Sequence, residues 1–150
     1  METNKPYCYE YPRPALTVDC MVISGKDKAP EILLIKRKHE PFKDCWAFPG
    51  GFVDMDETTD EAVCRELFEE TGLKLDNFEQ YKTFSAVDRD PRGRTISLVY
   101  YVFTNRDTVR AQAGDDASET GWFLLDQLPP LAFDHLKILE SALSFLGIRN

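Results

Sequence analysis

The sequence predicts an α/β domain in which a central mixed sheet is covered by helices on its faces. Three observations carry that prediction. The chain has 150 residues, the commonest size for one domain and enough to bury a core without disulfide or metal staples. Its apolar pattern runs strand–strand–helix–strand–strand–strand–helix, an order that suits a mixed sheet with helical cover. Its composition, 43% hydrophobic and 29% charged, is that of an ordinary globular protein and excludes disordered and fibrous classes. No internal repeat, low-complexity tract or linker divides the sequence, so residues 1–150 are expected to form a single domain.

Residues 1–14 read as an extended N-terminal arm, because Pro6 to Pro14 holds three tyrosines and three prolines. Ala15 to Ser24 reads as a strand ended by the polar turn Gly25-Lys26-Asp27-Lys28. Glu31 to Lys38 is a second strand, apolar in its middle and basic at its end. After a polar loop, Cys45 to Phe48 is a short strand closed by Pro49-Gly50-Gly51. From Thr58 to Thr71 the apolar residues follow helical spacing, and Gly72 supplies the stop. Phe78 to Val87 and Thr95 to Thr104 read as strands joined by the turn-rich Asp88-Arg89-Asp90-Pro91-Arg92-Gly93. Glu119 to Leu125 is a further strand before the breaker Leu128-Pro129-Pro130. Asp134 to Leu146 is an amphipathic helix with Leu136, Leu139, Leu143 and Leu146 on one stripe and Asp134 near its cap.

Charge and cysteine content narrow the function classes. A net charge of −8 and a pI near 4.8 argue against a nucleic-acid partner, which a basic surface would have to serve. The longest apolar run, Leu98 to Phe103, is far too short to cross a bilayer, so no membrane role is expected. The four cysteines have no metal-ligand spacing and no secretory signal precedes them, which points to reduced, mostly buried thiols and a cytoplasmic location. An acidic chain can still bind phosphates, given divalent cations or a local arginine cluster.

One segment is chemically distinctive. On a helical wheel of roughly 100° per residue, Glu66, Glu69 and Glu70 share one arc, and Val63, Cys64, Leu67 and Phe68 share another. Three carboxylates on one patch repel, and they lie towards the helix C-terminus, where the dipole disfavours anions. Such a face is commonly just solvated, with Arg65 pairing to Glu61 and Glu69. Alternatively a hard divalent ion relieves it, since oxygen-only ligands suit Mg²⁺ or Mn²⁺. Pro49-Gly50-Gly51 adds a tight loop whose backbone can approach a ligand closely.

The whole stretch resembles the signature box of the Nudix hydrolases, G-x5-E-x7-R-E-U-x-E-E-x-G-U with U apolar. Gly51, Glu57, Arg65, Glu66, Leu67, Glu69, Glu70, Gly72 and Leu73 stand at those places without departure. The resemblance implies a Nudix-type α/β/α sandwich that hydrolyses a nucleoside diphosphate linked to another group. It also implies that Glu66, Glu69, Glu70 and the Gly50 carbonyl hold Mg²⁺, with Mn²⁺ as a substitute. Arg65 would orient these carboxylates, and Glu57 would fix the loop–helix junction through Arg65 or a metal-bound water. The catalytic base is either a box glutamate, Glu66 or Glu69, or Asp116, whose place before Trp122 is similar to that of an acidic residue in several members; Asp115 and Glu119 compete for that role, and a solvated turn is the bland alternative.

Other segments are similar to the ADP-ribose pyrophosphatase branch and to a related branch of ADP-ribose-sensing regulators, among them Leu33-Leu34-Ile35-Lys36-Arg37 and Ala132-Phe133-Asp134-His135. Arg37, Arg89 and Arg92 could clamp phosphate or ribose, although Asp88-Arg89-Asp90 could equally form surface pairs. Trp46, Phe48 or Phe52 could stack on adenine or belong to the core. His39 and His135 have no partner at ligand spacing, and His135 is expected to cap or pack a helix start. The expected reaction is ADP-ribose to AMP and ribose 5-phosphate. An ADP-ribose sensor without turnover and a hydrolase of oxidised nucleoside triphosphates are the alternatives. The sensors of that branch carry a DNA-binding domain after this part, whereas the sequence stops at Asn150. A homodimer with exchanged N-terminal arms, as in relatives, is the expected assembly.

Overall fold

The computed structural model describes residues 6–114 and 117–148. Its elements are β1 (Ala15–Ser24), β2 (Glu31–Arg37), β3 (Trp46–Ala47), β4 (Gly50–Phe52), α1 (Thr59–Thr71), β5 (Glu79–Phe84), β6 (Thr95–Thr104), β7 (Ala117–Leu124) and α2 (His135–Leu146). The sheet runs β3-β2-β1-β6-β5, with β4 on β1 and β7 on β2. β1 and β6 are parallel over ten residue pairs, and the other pairings are antiparallel.

β1 is the axis of the fold and is buried on both faces, which is why it reads as an almost continuous apolar run. Successive side chains alternate between faces. Val18, Cys20 and Val22 pack with Ala62, Val63 and Leu67 of α1. Met21 and Ile23 pack on the opposite side with Ile138, Leu139 and Ala142 of α2. The result is a three-layer sandwich. Asp19 falls on the α2 side, a buried carboxylate in the middle of an apolar strand.

The sheet splits, and the split positions the site. β1 pairs with β2 only from Val22 to Ser24; from Thr17 to Asp19 the same edge is taken by β4. Gly50 and Gly51, expected as a closing loop, are therefore strand residues. A side chain at Gly50 would run into the Val18 carbonyl and the Asp19 carboxylate, so only glycine lets β4 lie this close to β1.

Both helices are rotated from the simplest sequence reading. On α1 the buried stripe is Ala62, Val63, Leu67, Glu70 and Thr71, while Phe68 is 48% exposed and Cys64 is exposed. Spacing i, i+4, i+7, i+8 thus draws a glutamate under the sheet in place of a phenylalanine. On α2 the stripe is His135, Ile138, Leu139, Ala142 and Leu143, and Leu136 faces outwards. Cys20 alone of the four free cysteines is buried, Cys45 is half-buried, and Cys8 and Cys64 are exposed; the expectation of mostly buried thiols fails because Cys64 lies one step off the α1 stripe and Cys8 belongs to the arm. Residues 6–14 have no helix or strand and are exposed. Among the described residues no helix is long and apolar enough to cross a membrane.

Candidate active site

α1 starts at a capping box: Thr58 Oγ1 accepts from the Glu61 N–H at 3.0 Å, and Glu61 reaches back to the Thr58 N–H at 3.3 Å. Glu61 is thereby committed to the cap and does not pair with Arg65. At the other end Gly72, at φ 74°, closes the helix with its N–H on the Phe68 carbonyl. No basic residue stands in the last turn, so the turn that carries Glu69 and Glu70 holds no cation of its own to offset the dipole.

Arg65 is the hub of the acidic face. Its Nε and Nη2 donate to the two Glu57 oxygens at 2.9 and 2.5 Å. Nη1 donates to Glu66 at 2.8 Å and Glu69 at 3.0 Å, and Nη2 also donates to the Phe52 carbonyl at 3.1 Å. Glu57 in turn accepts from the Asp54 N–H at 2.9 Å, so one guanidinium ties α1 to β4 and to the intervening loop. The Arg65 hydrogen bonds hold the Glu57 carboxyl below its ordinary pKa.

Glu66 and Glu70 behave in the opposite way. Burial raises the Glu66 pKa against the pull of Arg65, with Glu69 adding repulsion. Burial first, and the neighbouring Glu66 second, push Glu70 well above the carboxylate range, opposed by a hydrogen bond from the Gly50 N–H. Two carboxyl groups in mutual contact must share a proton or a cation. The Glu66 carboxylate lies directly over Gly51, within 2.7 Å of where a Cβ would stand. Oxygen-only donors of this kind fit a hard divalent ion. Among the described residues no three acidic, histidine or cysteine side chains converge at metal-ligand distance, because Glu69 is turned to Arg65.

A cavity of about 400 Å³ opens beside Glu66 and Glu70, at the split in the sheet. Its walls include Asp19, Arg37, Phe52, Arg92 and Phe133. Arg92 is held by Asp90, whose oxygens take its Nε and Nη2 at 3.1 and 2.8 Å, and its guanidinium lies 5.1 Å from the Phe52 ring centre and 5.3 Å from that of Phe133. Arg37 lies over Phe133 at 5.0 Å with its Nε on the Pro41 carbonyl at 2.8 Å. Burial opposes ionisation of Asp90, but the Arg92 hydrogen bonds win and lower its pKa.

Several expected roles change. Arg89 reaches neither Asp88 nor Asp90; Nε and Nη2 donate to both oxygens of Asp134 at 3.0 and 2.7 Å, and the side chain is 4% exposed. Its fork is used inside the protein, leaving little of it for a phosphate. Asp134 does stand at the α2 N-cap but makes no side-chain cap bond, since Arg89 takes its carboxylate. Phe48 is 2% exposed and its ring is stacked on His135 at 4.4 Å, so it belongs to the core and offers no face to a base. Asp116 lies outside the described residues. The segment before it is tied to α1: Gln112 N–H and Gly114 N–H donate to the Thr71 and Glu70 carbonyls at 2.8 and 3.1 Å. Asp19 and Phe133 line the cavity without having been singled out; the lone carboxylate in an apolar strand was the signal for Asp19.

The NUDIX domain family matches residues 13–142. The chain belongs to the NUDIX family. It is 48% identical over 132 residues, 87% of the chain and 73% of the relative, to an ADP-ribose pyrophosphatase of Methanocaldococcus jannaschii. It is 35% identical over 92% of its length to an ADPR-responsive transcriptional repressor, NtrR, of Acinetobacter baylyi, of which it spans 56%. The NUDIX domain of Shewanella oneidensis NrtR, solved in complex with ADP ribose, superposes with a TM-score of 0.81 at 31% identity, covering 91% of this chain and 90% of that one. The sandwich, the box and the relatives make this chain a NUDIX hydrolase.

Proposed function

We propose that the chain hydrolyses a nucleoside diphosphate linked to another moiety, with ADP-ribose as substrate and AMP and ribose 5-phosphate as products. The observation that carries this reading is the adjacent Glu66–Glu70 pair lining a cavity that also presents the guanidinium groups of Arg37 and Arg92 and the rings of Phe52 and Phe133. The 48% identity to an ADP-ribose pyrophosphatase supports the choice of substrate. Glu66, Glu69, Glu70 and the Gly50 carbonyl would hold Mg²⁺, or Mn²⁺ in its place. Such an ion neutralises diphosphate charge and lowers the pKa of water towards neutrality when bound.

The protein's own groups supply orientation and proton transfer. Arg65 fixes Glu66 and Glu69 through one nitrogen. Arg92 and Arg37, on either side of Phe133, bind phosphate or ribose oxygens. Phe52, 46% exposed, and the Phe133 ring offer the cavity's apolar faces to the base. Glu66, Glu69 or Asp116 accepts the proton of the attacking water. An ADP-ribose sensor without turnover is the second reading, favoured by the likeness to NtrR.

The test is a panel of ADP-ribose, other dinucleotide-like diphosphates and oxidised dGTP, each with Mg²⁺ and with EDTA. Release of AMP from ADP-ribose that needs the metal supports the proposal. Tight ADP-ribose binding with no product would favour the sensor, and preference for oxidised dGTP would overturn the substrate assignment.

A further inference from the structure

His135 is a buried imidazole for which the hydrolysis has no direct use. It is the first residue of α2, 3% exposed, flat against Phe48 at an interplanar angle of 13°. Its Nδ1 accepts from the Phe48 N–H at 3.2 Å, so in the neutral ring Nε2 carries the hydrogen. Nε2 faces Asp19 Oδ1 at 3.7 Å, and Asp19 Oδ2 accepts from the Ser97 hydroxyl at 2.5 Å. Burial lowers the His135 pKa despite the nearby Asp19 carboxylate, which keeps Nδ1 available as an acceptor.

Two residues beyond Phe48 stands Gly50. The link between them is anchored by the Pro49 carbonyl, which takes the Cys20 N–H at 2.8 Å, and by the Asp19–Gly50 register. Beside it the Glu66 carboxylate lies within 2.7 Å of where a Gly51 Cβ would stand, and the Gly50 N–H lowers the pKa of Glu70. The Phe48–Gly50 segment therefore meets a side-chain acceptor from α2 at one end and a candidate metal-site carboxylate of α1 at the other. α1 and α2 lie on opposite faces of the sheet, and this segment is where they are connected through β4.

We propose that His135 is a positioning residue: by holding the Phe48 N–H it sets the backbone of Gly50 against Glu70 and so pre-forms the divalent-ion site from the far side of the sheet. This rests on the metal-dependent reading above. Partners one layer behind metal ligands are typically worth 10- to 100-fold in affinity.

The experiment compares His135→Phe, His135→Asn and His135→Gln in the full chain by Mn²⁺ titration calorimetry, hydrogen exchange of the Phe48 amide, and kcat and KM for ADP-ribose. Asn places its oxygen where Nδ1 stands; Gln reaches towards Nε2 and leaves the Phe48 N–H unserved. We expect His135→Phe and His135→Gln to bind Mn²⁺ at least about tenfold more weakly, to exchange the Phe48 amide faster, and to lose kcat more than KM, with His135→Asn near the unaltered protein. Should His135→Phe fail to fold, the Asn–Gln contrast carries the test. Equal Mn²⁺ affinity in all folded variants, or Asn as impaired as Gln, overturns the proposal alone. An unaltered chain that takes up no Mn²⁺ overturns the hydrolase reading and this proposal with it.

Discussion

Truncating Arg89 to alanine should unfold the protein more readily without first weakening substrate binding. The guanidinium joins the loop after β5 to the cap of α2 through two hydrogen bonds to Asp134. The two side chains are 4% and 19% exposed, so the pair is largely desolvated. Removing one partner of a buried pair costs about 3–5 kcal/mol. Here the orphaned Asp134 keeps the favourable field of the α2 N-terminus, about 0.5–1 kcal/mol, and some contact with water. A net loss of about 2–3 kcal/mol follows, and for a chain of this size a fall in Tm of roughly 4–12 °C. Thermal melts of Arg89→Ala, Asp134→Ala and the double variant measure it, with the double variant less destabilised than the sum of the singles. A normal melt together with a KM for ADP-ribose raised tenfold would refute this and put Arg89 on the substrate.

Two further outcomes concern the acidic face. Glu69→Gln removes a carboxylate that is 39% exposed and 3.0 Å from Arg65, so stability should move by less than about 0.5 kcal/mol while Mg²⁺-dependent release of AMP is lost; full activity would remove Glu69 from the site. Glu70 has its pKa raised by burial and then by Glu66, so its contribution to stability is complete below the unfolded value of about 4.3 and is lost as pH rises through the folded value. In EDTA the Tm should therefore fall as the pH rises above the unfolded value of about 4.3, less so in Glu70→Gln; parallel pH–melt curves for the two proteins would contradict it.

Most of the architecture was legible because its signals are local. The apolar period from Thr58 and the Gly72 stop set α1 to within a residue, and the strand expected from Thr95 to Thr104 became β6 with the same bounds. What the sequence could not show depends on packing between distant segments. Gly50–Phe52 has no strand signal; it is a strand because β1 offers a free edge there and glycine permits the approach. The wheel grouped Glu66, Glu69 and Glu70 correctly, but it could not say that Glu70 turns under the sheet while Glu69 stays with Arg65. The partner of Arg89 was likewise invisible, since Asp134 lies 45 residues away; Asp90, only two residues from Arg92, was within local reach but was read beside Arg89 instead.

Those partners bear on why a chain of charge −8 would need a metal to bind its substrate and not merely to cleave it. The cavity is lined by Arg37, Lys38, Arg89 and Arg92, set against six carboxylates. Asp134 neutralises Arg89 and Asp90 neutralises Arg92, so neither arginine makes the wall positive. An anionic ligand then meets a wall of its own sign unless divalent ions occupy the Glu66–Glu70 face. ADP-ribose should accordingly bind about 5- to 150-fold more tightly with Mg²⁺ than with EDTA, the span of an ordinary coupling free energy. Linkage requires ADP-ribose to raise the Mg²⁺ affinity by the same factor. Calorimetry at a temperature too low for turnover reads both directions of the cycle, and an ADP-ribose affinity indifferent to Mg²⁺ would show that the arginines suffice by themselves.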